Sequence, residues 1–431
     1  MIRTIIITNA KEDAAKLRDS GISISHQLIK KVASIMDDVL ERGDAAIIDY
    51  TEKLDGVQLN SLKVTEEEFE KAYSMVTKKQ IQAINVIKTR LMESEVSVMN
   101  NLKAITVLSD GVKVNRLIQP ISSVGCYIPG GKARYASTMV MSAVPARVAG
   151  VKRIVAISPP LKDGTVDPLT LVAAKICGVK EFYKIGGVQG ITALAYGTNS
   201  IEKVNKIVGP GGMFVTAAKF LASRKVSIDM VAGPTELLIY ADSKSDPKLI
   251  ALDLISQAEH SYDTFCGLVT ASKQLARRVS SEINHIVRTN VISRADIVRK
   301  SLENNGFIAI CKHQSTAVEF VNEIAPEHLQ LICKNARAMS ERITSSGLVL
   351  IGKYTPSSAS DYCFGSNHIL PTLGFGASRG SLSVLDFLKL VSTIEATRSG
   401  LEKVQQNIRE ITLAEGLINH YSAVQERLIA K

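Results

Sequence analysis

Between Pro120 and Leu221 the chain repeats one pattern four times, a short β-forming run followed by an apolar helical stretch, and that repetition limits its fold more than any other feature. SVGCYI leads into Pro129-Gly130-Gly131 and a helix from Ser137. RIVAI is followed by a helix to Cys177, EFYKI by Gly186-Gly187 and a helix through Tyr196, and VNKIV by Gly209-Pro210-Gly211-Gly212 and a helix through Leu221. Strands joined through helices run parallel, and a parallel sheet needs cover on both faces. An open parallel sheet between two helical layers is therefore expected. The alternation resumes at LLIYA, passes through TFCGLVT, FIAIC and LQLIC, and ends at GLVLIG, which predicts a second α/β layer. The two segments carry no shared motif.

The flanks read differently. Apolar residues recur at helical spacing from Leu28 to Leu40 until Gly43, Asp44 caps a second helix, and Thr65 with Glu68 forms a capping box ahead of a third stretch. Asp110-Gly111 between β-formers signals a hairpin. After Pro371 the glycine-rich GFGASRGSLSV loosens the pattern, and from Thr393 the chain reads as helices. The division expected is a helical N-terminal region with a hairpin (1–120), an α/β unit (121–236), a second α/β unit (237–380) and a helical C-terminal tail (381–431).

Composition removes several function classes. A chain of 431 residues with 45% hydrophobic content exceeds what one core organises. The net charge of +10 is dispersed without a basic run, and with no Trp there is no aromatic platform for nucleic acid, so the surplus suits phosphate-bearing cofactors or anionic substrates. The six cysteines are far apart and form no CxxC, which fits buried thiols in a reducing compartment. No apolar run approaches membrane-spanning length and the first residues lack a signal-type core, so a soluble cytoplasmic protein is expected, without membrane or nucleic-acid partners.

Polar residues in unusual places point to chemistry. SQAEH closes a helix expected to open at Asp246 with Pro247 in its first position. Gln257 and His260 stand three apart there, with Asp253 on the same stripe, which makes half of a metal site or merely a capped helix end. Glu327 and His328 in IAPEHLQL sit at the mouth of a predicted strand, where an adjacent acid and imidazole divide proton work or form an exposed turn. Asp361 and His368 lie in the Ser- and Gly-rich SASDYCFGSNHILPT, and Glu415 and His420 share a helical stripe; His26, His285 and His313 have no such company. Gln257, His260, Asp361 and His420 would together make a mixed N/O shell suited to Zn²⁺, although spacing alone does not bring the four together. The glycine turns allow close approach to phosphates, yet none is a GxGxxG.

Taken as an ordered set, YIPGG at Tyr127, GGVQG with Gln189, GPGG at Gly209, DMVAGPTE from Asp229, SQAEH, APEHL, DYCFGSNHILPT and AEGLINH resemble the histidinol dehydrogenase family over essentially the full length. The resemblance implies an α/β homodimer with two Rossmann-like open sheets and a helical tail reaching into the partner's site. It implies oxidation of L-histidinol to L-histidine in two NAD-dependent steps through the aldehyde. Gln257, His260, Asp361 and His420 then match the ligands of one Zn²⁺ per subunit, with His420 from the other subunit. Glu327 and His328 match the proton-transfer pair. Substrate contacts fall on Thr235, Gln257, His260, His328, Asp361, His368, Glu415 and His420, and NAD contacts on Tyr127, Gln189 and Gly212.

Three positions depart from the family pattern. Gly212 stands where GPGN has Asn, which predicts weaker cofactor binding; Thr235 replaces the usual Ser, and Gly190 the usual Ala. These departures leave a relative acting on another polar alcohol as the alternative. A zinc hydrolase lacks an HExxH and would leave the glycine turns without use, and a silent assembly protein would not need the complete polar set.

Overall fold

The structure, a computed structural model, describes residues 2–19, 25–130, 134–289 and 292–430, so Gly131 of the first glycine turn lies outside the described residues. The chain opens on strand β1 (Arg3–Ile7), followed by helices Ala10–Asp19, His26–Arg42, Asp44–Asp55, Glu66–Ser74 and Lys78–Asn101. Strands β2 (Ile105–Ser109) and β3 (Val112–Pro120) form the expected hairpin. Its turn residues Asp110 and Gly111 both have positive φ, 51° and 82°, as a two-residue type I′ turn requires.

Five strands follow, β4 (Ser123–Tyr127), β5 (Arg153–Ile157), β6 (Glu181–Tyr183), β7 (Lys206–Val208) and β8 (Ser227–Ile228), paired in parallel in the order β6-β5-β4-β7-β8. Then come β9 (Glu236–Ala241), β10 (Phe265–Thr270), β11 (Gly306–Cys311), β12 (His328–Ile332) and β13 (Leu348–Ile351), in a parallel sheet ordered β1-β11-β10-β9-β12-β13. Within each unit the order is third, second, first, fourth, fifth, the doubly wound arrangement, whose direction reverses beside the first strand. The second sheet thus repeats the topology of the first without repeating its sequence.

Alternation along the strands explains the layers. Ile154 and Ala156 enter one core cluster and Val155 and Ile157 the opposite one. Helix His26–Arg42 contributes Val32, Met36 and Val39 to the cluster of Ile157, while Lys78–Asn101 contributes Ile84, Ile87 and Leu91 to that of Ile154. The helices between the strands cover the first sheet, and two N-terminal helices pack outside them, His26–Arg42 against Gly187–Tyr196 and Lys78–Asn101 against Ala136–Ala149. The second sheet divides likewise, Leu237 and Ile239 to one side and Leu238 and Tyr240 to the other.

Two expectations about the flanks are corrected. The N-terminal region is not only helices and a hairpin, because β1 adds to the edge of the second sheet in register with β11, Arg3 opposite Phe307. The C-terminal tail is not only helical, because strand β14 (Leu388–Ala396) pairs antiparallel with β3 before helices Arg398–Ala414 and Ile418–Ile429. Both strands are held by partners hundreds of residues away, which local periodicity does not register. Among the described residues no helix is long and apolar enough to cross a membrane.

Candidate active site

The site forms where opposite ends of the two sheets meet. On the first sheet the carboxyl ends contribute: Tyr127 closes β4, Gln189 lies in the helix after β6, and Gly212 precedes the helix after β7. On the second sheet the amino ends contribute, with Thr235 and Glu236 at the start of β9 and Glu327 and His328 at the start of β12. The acid–imidazole pair thus sits at a strand mouth as expected, but at the end opposite to the usual crevice of an open α/β sheet. Electrostatics favours this division. Helix N-termini gather at carboxyl ends and attract anions, whereas helix C-termini gather at amino ends and attract cations.

On the first sheet, a Cβ on Gly209 would lie 2.1 Å from the Tyr127 carbonyl oxygen, so its φ of 116° and lack of a side chain bring the turn against β4. The turn is braced from behind by the buried Lys219–Asp229 ion pair, since Gly209 N–H donates to Asp229 at 2.8 Å and Lys219 donates to Gly209 O at 2.9 Å. Tyr127 is buried, its hydroxyl accepts from Gly187 N–H at 3.3 Å, and burial pushes it up to about 12. Gln189 Oε1 is buried without a partner. Gly212 opens its helix with no side-chain cap. Free N–H groups at that helix start, together with an orphaned amide oxygen, fit a dinucleotide at this end.

On the second sheet the predicted residues converge through short hydrogen bonds. Glu327 Oε2 accepts from Thr235 Oγ1 at 2.7 Å and from Glu236 N–H at 2.6 Å, and Gln257 Nε2 donates to Thr235 Oγ1 at 2.7 Å. Helix Pro247–Ala258, capped by Asp246 as expected, delivers Gln257. Three histidines give Nδ1–H to main-chain carbonyls, His260 to Gln257 at 3.1 Å, His328 to Glu236 at 3.1 Å and His368 to Asp361 at 2.8 Å. A carbonyl only accepts, so each Nδ1 carries a proton and Nε2 is the nitrogen left for other partners. His368 Nε2 then accepts from Thr138 Oγ1 at 3.2 Å, on the helix that follows β4, which joins the two sheet units through the site.

His328 Nε2 lies 3.1 Å from Asp361 Oδ1. Burial alone would lower the His328 ring, but the Glu327 charge and the Asp361 hydrogen bond outweigh it and hold the ring well above the usual histidine value. Burial likewise pushes Asp361 up, yet the His328 hydrogen bond and charge, with weaker help from His368 and His260, hold it below the usual carboxylate range. His368, desolvated and paired to neutral groups, is pushed down.

Not every predicted residue joins the cluster. Asp253 turns to Gln330, whose Nε2 donates to it at 3.0 Å, rather than standing beside Gln257 and His260. Glu415 and His420 are exposed on the terminal helix pair, and no hydrogen bond among the described residues links them to the cluster. Nor does any group of three or more His, Cys, Asp and Glu among the described residues gather closely enough for a metal. Within one chain the expected four-ligand shell is therefore not closed. The donors that do meet suit a cation: the exposed His260 is near enough to Asp361 for their charges to interact, beside the carbonyl end of a helix. Two residues without a sequence signal are central. Arg18 pairs with the buried Glu236, and a lone carboxylate leading the fully buried run ELLIYA was the only hint of it.

A buried acid–imidazole pair, set between a nucleotide-type glycine end and a cation-favouring end, defines a two-sheet α/β enzyme. The histidinol dehydrogenase family model matches residues 20–428. Histidinol dehydrogenase from Clostridium acetobutylicum is 42% identical over 93% of this chain and 92% of the relative, and that from Methanocaldococcus jannaschii is 38% identical over 97% and 96%. The crystal structure of histidinol dehydrogenase from Elizabethkingia anophelis superposes with a TM-score of 0.93 at 33% identity, covering 100% of this chain and 98% of that one. The chain belongs to the histidinol dehydrogenase family and is an oxidoreductase.

Proposed function

We propose that this protein oxidises L-histidinol to L-histidine in two NAD-dependent steps through histidinaldehyde, in the cytoplasm and as a homodimer. The observation that carries the reading is the joining of Glu327, His328, Thr235, Gln257 and Asp361 in one hydrogen-bonded, mostly buried cluster. NAD⁺ would be held by Tyr127, Gln189 and the Gly212 helix start, and supplies the hydride acceptor. Zn²⁺ would be held by Gln257, His260 and Asp361 with His420 of a second copy, and supplies a positive centre that orients the substrate's amine and imidazole. Exposed Glu415 and His420, stranded on their own chain, support the second copy as their destination.

Both nitrogens of His328 here face acceptors, which holds the ring as the imidazolium. Were Asp361 engaged as a cation ligand, it would no longer accept from His328, whose Nε2 would then be the acceptor for a substrate proton. His328 accepts the proton of the alcohol as hydride leaves C–OH, giving the aldehyde. Glu327 takes a proton from water as it adds to the aldehyde, and His328 assists again as hydride leaves the hydrate. Thr235 Oγ1 and Glu236 N–H aim the Glu327 carboxylate. Mixing the purified protein with NAD⁺ and L-histidinol should produce two NADH per histidinol, followed by absorbance; absence of NADH with active cofactor and metal supply defeats the reading. His260→Ala should lower bound zinc on metal analysis, and full loading at wild-type affinity removes His260 from the ligand set.

A further inference from the structure

Glu236 touches both members of the proton-transfer pair without belonging to it. Its main-chain N–H donates to Glu327 Oε2 at 2.6 Å, and its carbonyl accepts from His328 Nδ1 at 3.1 Å. Its carboxylate, 1% exposed as a residue, accepts from Glu327 N–H at 3.2 Å, from Leu373 N–H at 2.8 Å and from two nitrogens of Arg18 at 2.5 and 2.9 Å. Arg18 comes from the N-terminal helix Ala10–Asp19. Its guanidinium also donates to the carbonyls of Ile324 and Ala325 at the end of helix Gln314–Ile324. Ala325 has φ 46°, a left-handed conformation that a residue with a Cβ adopts at a cost, two positions before Glu327.

One guanidinium therefore grips both segments from which the pair hangs, the start of β9 through Glu236 and the turn into β12 through the two carbonyls. Its planar fork suits the bidentate carboxylate, and its charge suits a helix C-terminus. A buried carboxylate without that partner would be strongly disfavoured so near the Glu327 carboxylate. We propose that Arg18 and Glu236 are positioning residues that fix the Glu327–His328 pair for proton transfer. The inference rests on the oxidation of histidinol proposed above.

The test compares wild type with Arg18→Ala, Arg18→Lys and Glu236→Gln, measuring kcat and KM for L-histidinol and NAD⁺ on the folded fraction, with and without guanidinium ion at millimolar concentration. Misplacing a proton-transfer group by about an ångström costs on the order of a hundredfold, so Arg18→Ala should lose about that in kcat while both KM values stay within about threefold. Arg18→Lys should recover part of the loss. The Arg18 side chain is 19% exposed, so guanidinium should reach the gap and restore Arg18→Ala saturably, by about tenfold or more, without affecting wild type. Unchanged kcat in folded Arg18→Ala, or a loss that guanidinium does not touch, overturns the proposal. Should Arg18→Ala not fold, Glu236→Gln keeps the shape and carries the test, with kcat expected to fall about tenfold at constant KM and an unchanged kcat overturning it. Inactive wild type refutes the histidinol reading, and this inference with it; active wild type with unaffected variants refutes the positioning pair alone.

Discussion

His328 and Glu327 are neighbours in sequence but point into different hydrogen bonds, Glu327 to Thr235 and the Glu236 amide, His328 to the Glu236 carbonyl and Asp361. Separate surroundings permit separate work. Glu327→Gln should slow oxidation of histidinaldehyde on the order of a hundredfold while leaving the first hydride transfer from histidinol nearly intact, whereas His328→Asn should slow both. NADH formed in the first turnover, started from alcohol and from aldehyde in turn, reads the difference; equal loss from both starts under Glu327→Gln ends the division of labour. Asp253 gives a second prediction. Burial pushes its carboxyl up, so the stability linked to its proton is present below the unfolded value and is lost as pH rises through the folded one. At neutral pH an ionised Asp253 accepts from Gln330 Nε2 while Gln330 Oε1 stays buried without a donor. Asp253→Asn supplies that donor and should raise stability on the order of 1 kcal/mol at pH 7, with the gain shrinking towards pH 4. Thermal unfolding at the two pH values measures it, and a variant less stable than wild type at pH 7 contradicts the pairing. Members of the hydrogen-bonded cluster were legible in the sequence where they stood in short dense motifs, as with Glu327, His328 and Asp361. Arg18 was not, because one arginine in the charged helix AKEDAAKLRD looks like every other solvated arginine until its partner, far along the chain, is in place.

Elements were legible to the extent that their causes are local. Among the described residues, the turns at Gly186 and Gly209 and the apolar runs between Pro120 and Leu221 became turns, strands and helices, and the capping box at Thr65 and the Asp246 cap formed as read. The edge strands β1 and β14 were not, since what makes them strands is the partner, β11 for one and β3 for the other. The same distinction governs the glycines. Gly209 cannot be replaced, because a Cβ would collide with the main chain of β4. Gly212 has an ordinary φ of −67°, and a Cβ there meets nothing within 4 Å. An asparagine in that place would cap helix Met213–Ala222 and add an amide beside the proposed cofactor. Gly212→Asn should therefore stabilise the fold by roughly a few tenths of a kcal/mol and tighten NAD⁺ binding. Calorimetric titration of NAD⁺ against a folded variant decides it, and unchanged or weaker binding removes Gly212 as the source of a weak cofactor site.

For the whole molecule, the two sheets turn unlike ends to one site, a helix-start end that favours anions such as the phosphates of the proposed dinucleotide and a helix-finish end that favours cations. The proposed completion of that site by a second copy makes a prediction about mixtures. His260→Ala and His420→Ala should each be inactive alone, yet mixed after unfolding and refolding together they should regain about a quarter of wild-type activity, because half the dimers are hybrids and each hybrid has one undamaged site. No recovery would place His420 in its own chain's site or in none. The pairing of Arg3 with Phe307 along β1 and β11 bears on how such a molecule is made. A ribosome releases β1 and Arg18 long before β9, β11 and the turn at Ala325 exist, so β1 waits, unpaired, while about three hundred further residues are made. The first sheet can close around its own helices during that delay, whereas the proposed grip of Arg18 on the Glu327–His328 segment has to await partners made far later.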